Sequence, residues 1–423
     1  MDPIKTADHI FVRELNLSSV LRMIYHEAPL SRAQLAVKTG LNKSTISSLV
    51  EDLLDRRLIH ETGINSVGTG RPATQLEINA QAGAIVGVEL GVDFVSVVLT
   101  DFLGGILGRK QLGADPAASQ EKTFGQTQSL IEDMVHLSSD LGLRILGLSF
   151  SIPGTVDLDK GVLIFAPNLH WHNVPLRDHF SNSTGLQVFI ENDANAAALA
   201  EHLLGTAKHL KDFIFVFAGV GLGGGLFLNG QLYRGKGGYA GEIGHTSILA
   251  EPIQQLCDCG NLGCWETYAN QVSIVRRFQS RLDNRRSREN SSPLDGQNGP
   301  LSIGTIKRAA DSGDPDAIDS LAEAGAAMGT GLAGLVNIFN PEKIILGGPI
   351  SIVGDYLLPS IRQSVNKRAM SEIVLQTEVN LSTFGVDASL IGAAAVVLDD
   401  ILNHPNHVEK EVVVQRSTKP VVV

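Results

Sequence analysis

Cysteine is scarce: the 423-residue chain has three, all between positions 257 and 264. That excludes a disulfide scaffold and points to a reducing compartment, the cytoplasm. No unbroken apolar run approaches the roughly 18 residues of a spanning helix, so no membrane partner is expected. The start, Met1-Asp2-Pro3-Ile4-Lys5, lacks the apolar stretch of a secretory leader. A surplus of positive charge is missing too. The net charge of -11 argues against nucleic-acid binding over the whole surface, while leaving room for one local site.

What is present is unevenly spread. Residues 1–79 hold 9 Lys+Arg and 9 Asp+Glu, and the other 344 residues hold 25 and 36. A neutral head on an acidic body implies two parts with different partners. The length also favours more than one domain. With 43% hydrophobic and 19% charged residues, the chain is globular rather than disordered or fibrous.

In the head, Leu17, Val20, Leu21 and Ile24 recur on one helical face. A second helix is expected after Ser31, with Gln34 at the capping-box position and Gly40 as its stop. After the Thr39-Gly40-Leu41 turn, Asn42 can cap a third helix whose apolar face is Ile46, Leu49, Val50, Leu53 and Leu54. Its other face begins Lys43, Ser44, Thr45, Ser47 and Ser48. This is a helix-turn-helix pattern, in which small hydroxyl residues approach phosphates and Asn or Lys reaches base edges. Extended stretches at 58–62 and 75–78 flank Gly68-Thr69-Gly70-Arg71-Pro72. They read as a β-wing with Arg71 at its tip, suited to a narrow minor groove. A small helical protein-interaction module is the plainer alternative; the wing and the charge contrast favour double-stranded DNA. Residues 79–83 read as a short linker.

The body repeats a pattern. Residues 84–99 and 213–227 each read as a strand, a glycine-punctuated turn and a strand, followed by helical sequence. Strands are also expected at 145–153, 188–193 and 343–348, with an alanine-rich helix from Ala194 to Leu204. The polar triplet Glu191-Asn192-Asp193 falls where a strand meets a helix, the place where open α/β sheets keep ligands. Residues 279–300 read as an exposed loop, and the stretch after His404 as loosely held. Cys257, Cys259 and Cys264 make a complete tetrahedral zinc set with His245 twelve residues upstream, if that histidine is the fourth ligand rather than a group facing the pocket. No position is left for a catalytic water, which implies a structural ion. Buried or redox-active thiols are the alternative.

Glu191-Asn192-Asp193-Ala194-Asn195, Gly241-Glu242-Ile243-Gly244-His245 and Cys257-x-Cys-Gly-x-x-Gly-Cys264-x-Glu266 together resemble the ROK family of repressors, open reading frames and sugar kinases, over roughly residues 84–400. With the winged head, the chain resembles the family's repressor branch. The resemblance implies an α/β fold: a winged helix-turn-helix over 1–79, then a duplicated actin-like body of sugar-kinase type. Its first half would span 84–200 and be completed by about 385–402; its second half, 201–384, would carry the zinc loop. It further implies that Asp193 stands where the kinases keep their general base. Asn168, Asn192, Glu242, His245 and Glu266 would be further sugar contacts, with His245 also a zinc ligand.

The nucleotide side departs from the family pattern. The kinases' Asp-x-Gly-Gly-Thr hairpin is here Glu89-Leu90-Gly91-Val92-Asp93, and their Gly-Thr-Gly is Gly219-Val220-Gly221. A carboxylate against phosphates and lost hydroxyl donors disfavour ATP. The expectation is a sugar-responsive regulator, foremost a repressor, that binds an operator as a homodimer or homotetramer and carries no catalytic function. An ATP-dependent sugar kinase with an added DNA-binding head is the main rival, and a protein-sensing regulator the second.

Overall fold

The computed structural model describes residues 9–65, 73–115, 119–248, 255–289 and 301–410. The head is built from α1 (His9–Glu27), β1 (Leu30–Ser31), α2 (Arg32–Thr39), α3 (Lys43–Asp55), β2 (Ile59–Asn65) and β3 (Ala73–Ile78). Its caps are those the sequence dictates. The Ser31 side chain accepts from the Gln34 amide while Gln34 reaches back to the Ser31 backbone, and Gly40 ends α2 at φ 72°. Asn42 caps α3 through the Thr45 amide. Leu17, Val20, Leu21, Ile24, Leu35, Ile46, Leu49, Val50 and Leu53 are buried together. The antiparallel pair β2–β3 forms the wing, with β1 added on β3. The wing tip with Arg71 lies outside the described residues.

The body contains two sheets of the same design. The first comprises β4 (Ala84–Leu90), β5 (Phe94–Asp101), β6 (Ile106–Gly113), β7 (Ile145–Ile152) and, after α4 (Gln120–Asp140) and an excursion, β11 (Val188–Asn192). The excursion is the small antiparallel sheet β8 (Thr155–Asp157), β9 (Val162–Ala166) and β10 (Trp171–Val174), followed by α5 (Leu176–Thr184). The helix α6 (Asp193–Leu203) follows β11 directly. The second sheet comprises β12 (Phe213–Ala218), β13 (Leu222–Leu228), β14 (Gln231–Leu232), β15 (Lys343–Gly347) and β16 (Glu378–Leu381). Its helices are α7 (Glu266–Ala269), α8 (Gln271–Glu289), α9 (Ile303–Asp311), α10 (Pro315–Phe339), α11 (Gly354–Arg368), α12 (Ser371–Val374) and, closing the body, α13 (Ala388–Asn403).

The strand orders, β11-β7-β4-β5-β6 and β16-β15-β12-β13-β14, coincide position for position. In each, the opening hairpin is antiparallel and the two strands beyond it run parallel to the first strand. The weak internal repeat in the sequence is therefore a true structural duplication. α13 lies across β4 and β7 and crosses α6 at close range. Gly392 sits at that crossing: a Cβ there would stand 2.3 Å from the Ala196 carbonyl carbon.

Several expectations are corrected. Residues 279–289 are not loop: α8 runs on to Glu289, burying Ile274, Phe278 and Leu282 and pairing Arg281 with Glu323 and Arg285 with Asp314 of the α10 region. Residues 290–300 lie outside the described residues. The segment 79–83 is a packed turn, with Ala82 buried and the Ala80 carbonyl accepting from Phe102. Residues 405–410 are clasped onto the head, while residues 411–423 lie outside the described residues. Arg56, at the end of α3, donates to the carbonyl oxygens of Asn406 and Val408, and Lys410 pairs with Asp52 and Asp55 of α3. α10 passes the test of length and apolarity for a membrane span that an unbroken-run criterion overlooks. Here it is a core helix. Gly325 and Gly329 let α11 approach so closely that a Cβ would meet the Leu357 and Ile361 carbonyls at 2.7 and 2.5 Å.

The head docks on the ends of α6 and α13. Tyr25 donates to the Leu203 carbonyl at 2.8 Å and Ser18 to the Leu402 carbonyl at 2.8 Å, while Arg22 pairs with Asp399 at 3.0 Å. The head core is continuous with apolar residues of both helices.

Candidate sugar pocket, thiol cluster and DNA-facing helix

The cleft between the halves is organised by glycines of β13. Gly223 and Gly225 face α6; their Cβ positions lie 3.1 Å from the Ala194 methyl and 2.5 Å from the Ala194 carbonyl. Gly224, pointing the other way, donates its amide to the Gly241 carbonyl at 2.8 Å. Gly241 has φ 100° and a Cβ there would stand 1.9 Å from the Gly224 oxygen, so only glycine fits. The backbone of the 241–245 turn therefore lies directly on β13, and Glu242 and His245 project beside the N-terminus of α6.

Asp193 is the first residue of α6, and its carboxylate accepts from the Ala194 amide at 2.8 Å. Burial, reinforced by Glu242, pushes its carboxyl up to about 7. Glu242 is itself raised, by burial and by Glu266. Asn168, on the turn after β9, and Glu266 flank Gly221: its Cβ position lies 3.5 Å from Glu266 Oε2 and 3.9 Å from Asn168 Nδ2. Asn168, Asp193, Glu242, His245 and Glu266 thus gather at one place. Asn192 is committed differently. Its oxygen caps α6 through the Ala194 and Asn195 amides, and its nitrogen donates to the Gly154 carbonyl at 3.0 Å. It positions the helix start, and its side chain also hydrogen-bonds the Asp193 carboxylate.

Sequence reasoning missed the support beneath this site. Glu191 is buried; it accepts both guanidinium donors of Arg234, at 3.0 and 2.7 Å, and a bond from Asn195. An arginine in a glycine-rich stretch, 234–238, was the available signal. Glu89 is buried near Asp193 with the Ser389 hydroxyl beside it, and burial and Asp193 push its carboxyl up to about 8. In the first hairpin the Phe94 ring covers Gly91, where a Cβ would meet it at 2.4 Å, and Asp93 is exposed. In the second, the Val220 carbonyl accepts from Asn270 at the start of α8.

The thiols converge. Cys257 and Cys264 are buried and Cys259 exposed, and these three sulfurs and a His245 nitrogen all lie within 4.8 Å of one another. Gly260 at φ 89° and Gly263 at φ 76° turn the loop, and the Gly260 amide donates to the Cys257 carbonyl at 2.9 Å. Cys259 and Cys264 sulfurs are 3.7 Å apart, as are the Cys257 sulfur and His245 Nδ1. A tetrahedron with zinc–sulfur bonds of about 2.3 Å has edges of about 3.8 Å, so the donor set fits that ion. His245 Nδ1 faces the thiols while its Nε2 lies 3.8 Å from Glu242. The buried Trp265 anchors the loop, donating to the Ala327 carbonyl at 3.1 Å.

On the head, Lys43, Ser44 and Ser48 are exposed, with Asn42 beside them and Thr45 and Ser47 partly covered. The Asn42 oxygen is spent on the cap, accepting from Thr45 and from the Ser44 hydroxyl at 2.7 Å. Arg13 of α1 reaches the same face, donating to Ser48 at 3.2 Å and pairing with Asp52 at 2.7 Å. Sequence reading missed Arg13 because its position on α1 does not show that it lies over α3.

These features define a class: a winged helix-turn-helix mounted on a duplicated actin-like body of the sugar-kinase type. A family model described as the ROK family matches residues 85–400, and one described as the MarR family matches residues 18–64. The chain belongs to the ROK family. It is 32% identical over 405 residues to a xylose repressor of Caldicellulosiruptor bescii, covering 95% of this chain and 99% of that protein. Among solved structures, a ROK family transcriptional regulator, described as a homologue of the Escherichia coli Mlc protein, superposes with TM-score 0.81 at 29% identity, covering 94% and 98%. A ROK family glucokinase from Streptomyces griseus, solved with glucose and AMPPNP, superposes with TM-score 0.64 at 32% identity, covering 74% and 99%.

Proposed function

We propose that the chain is a sugar-responsive transcriptional regulator, a repressor that leaves its operator when a monosaccharide or a derivative of one enters the cleft. One observation carries this reading. Asn168, Asp193, Glu242, His245 and Glu266 converge beside the start of α6, and α6 ends under the head. Such a ring of acceptors and amides suits a ring of sugar hydroxyls, and rejects analogues lacking one of them. Closure of the halves on the sugar moves α6 against α13, the two helices on which the head rests. The sugar then favours the body conformation in which paired heads no longer fit the operator. DNA is engaged through Lys43, Ser44, Thr45, Ser47, Ser48, Asn42 and Arg71, in a homodimer or homotetramer acting in the cytoplasm.

The covered Gly91 and the exposed Asp93 support a sensor without ATP. Zinc held by His245, Cys257, Cys259 and Cys264 would brace the loop that presents Glu266, supplying rigidity rather than chemistry. A second reading, residual sugar kinase activity, has one observation in its favour: an Asp193 carboxyl near 7 suits a general base.

The test is a thermal-shift panel of free and phosphorylated monosaccharides, with ATP alongside, followed by an operator-binding assay. Ligand at about 100 times its Kd stabilises by roughly 2.7 kcal/mol. A shift with one sugar, silence with ATP and release of DNA by the same sugar are expected. A shift with ATP, with phosphorylated product from a hexose panel, would reinstate the kinase. Absence of any sugar response would sink the sensor reading.

A further inference from the structure

A second cluster of metal-ligating side chains lies far from the thiols, where α13 gives way to the segment clasped on the head. Asp400 stands on the last turn of α13, His404 caps that helix and His407 lies on the short helical turn Pro405–His407. The reversal at Pro405 brings both imidazoles over one carboxylate. His404 Nδ1 is 3.2 Å from one oxygen of Asp400 and His407 Nδ1 is 2.7 Å from the other. The rings stack with centroids 5.0 Å apart and planes 25° from parallel. One donor atom from each residue falls within a 4.8 Å sphere of mutual distances. Among the described residues, the two histidines are the ion partners recorded for Asp400.

We propose that Asp400, His404 and His407 form a binding site for a divalent first-row transition metal ion, separate from the Cys3His cluster. Two imidazole nitrogens and one carboxylate oxygen are the donors such ions prefer, whereas calcium and magnesium take oxygen sets. With metal–nitrogen bonds of about 2.1 Å, neighbouring donors around one ion stand roughly 3.0–3.4 Å apart. The two histidine–carboxylate spacings, 3.2 and 2.7 Å, lie near that range, and the three donors are all within 4.8 Å of one another. The histidine side chains are 60% and 44% exposed and Asp400 17%, so the remaining coordination positions open to water. The ion would brace the turn that carries Asn406 and Val408, the residues that hold Arg56 at the end of α3.

The test uses the untagged full-length chain carrying a single equivalent of zinc, titrated with Ni2+ alone in a calorimeter. Wild type should bind one more equivalent of Ni2+ than His404→Asn/His407→Asn, and that ion should raise the Tm of wild type alone. Asp400→Asn, which keeps both imidazoles, should lose the same equivalent and guards against a folding defect in the paired variant. Equal Ni2+ stoichiometry in wild type and variants would overturn the proposal and leave the triad as two histidines hydrogen-bonded to a carboxylate.

Discussion

Gly392→Ala is the sharpest test of how the body is put together. The new Cβ would stand 2.3 Å from the Ala196 carbonyl carbon, 2.4 Å from its oxygen and 2.7 Å from the Ala197 nitrogen. All three are backbone atoms of α6, and none can swing aside like a side-chain end. Carbon contacts settle near 3.5–4.0 Å, so α13 and α6 must part by about 1 Å. Overpacking of that kind costs about 1–3 kcal/mol. At roughly 2–4 °C per kcal/mol for a large domain, the Tm falls by about 2–12 °C. The control is the same substitution at Gly334, on the exposed side of α10, where a Cβ meets nothing within 4 Å. There alanine restricts the unfolded chain and stabilises by about 0.4–1 kcal/mol. Calorimetric melts of both variants give the answer. A Gly392→Ala melt at or above wild type would refute the close crossing of α6 and α13.

Other outcomes follow from the same structure. Glu89 holds its proton up to about 8 in the folded chain but only to 4.5 as a free carboxyl. The folded state therefore binds more protons across that window, and stability falls as pH rises through it. Glu89→Gln should flatten this slope in urea melts run from pH 5 to 8, and an unchanged slope would count against the burial of a carboxylic acid there. Lys43→Ala should weaken operator binding across sequences and reduce the salt slope of log affinity by about 1; an unchanged slope would place Lys43 away from phosphate. Cys264→Ser should lose one equivalent of zinc by elemental analysis and melt lower, whereas full zinc content would remove Cys264 from the ligand set.

Much of the head was legible because its signals are local. Ser31 with Gln34, Gly40 and Asn42 are caps whose partners lie three or four residues away, and the structure shows each of those bonds. The site motifs were legible because glycines must sit where backbones touch, as Gly241 does against Gly224. What escaped depended on distant partners. Past residue 279 the sequence of α8 reads as solvated loop because that end is arginine-rich. Its apolar stripe starts earlier, at Ile274, and its charges meet acids of α10. The Glu191–Arg234 pair joins residues 43 apart, and nothing in the spacing announces it. Asn192 reads as a ligand from its motif, and the motif does not announce that its oxygen also caps α6. Residues 405–410 read as loosely held because their partners, Arg56 and Asp52, lie about 350 positions upstream.

That last contact has a consequence for biosynthesis. The bond from Arg56 to Val408 spans 352 residues. At 5–20 residues per second, a ribosome needs roughly 20–70 s to travel from one partner to the other. For that whole interval the emerging amino-terminal segment has neither α13 to rest on nor the carboxy-terminal turn to grip it. This fastening of the head therefore waits until residue 408 has been made, and a chain broken off before it lacks the fastening however well its body has folded.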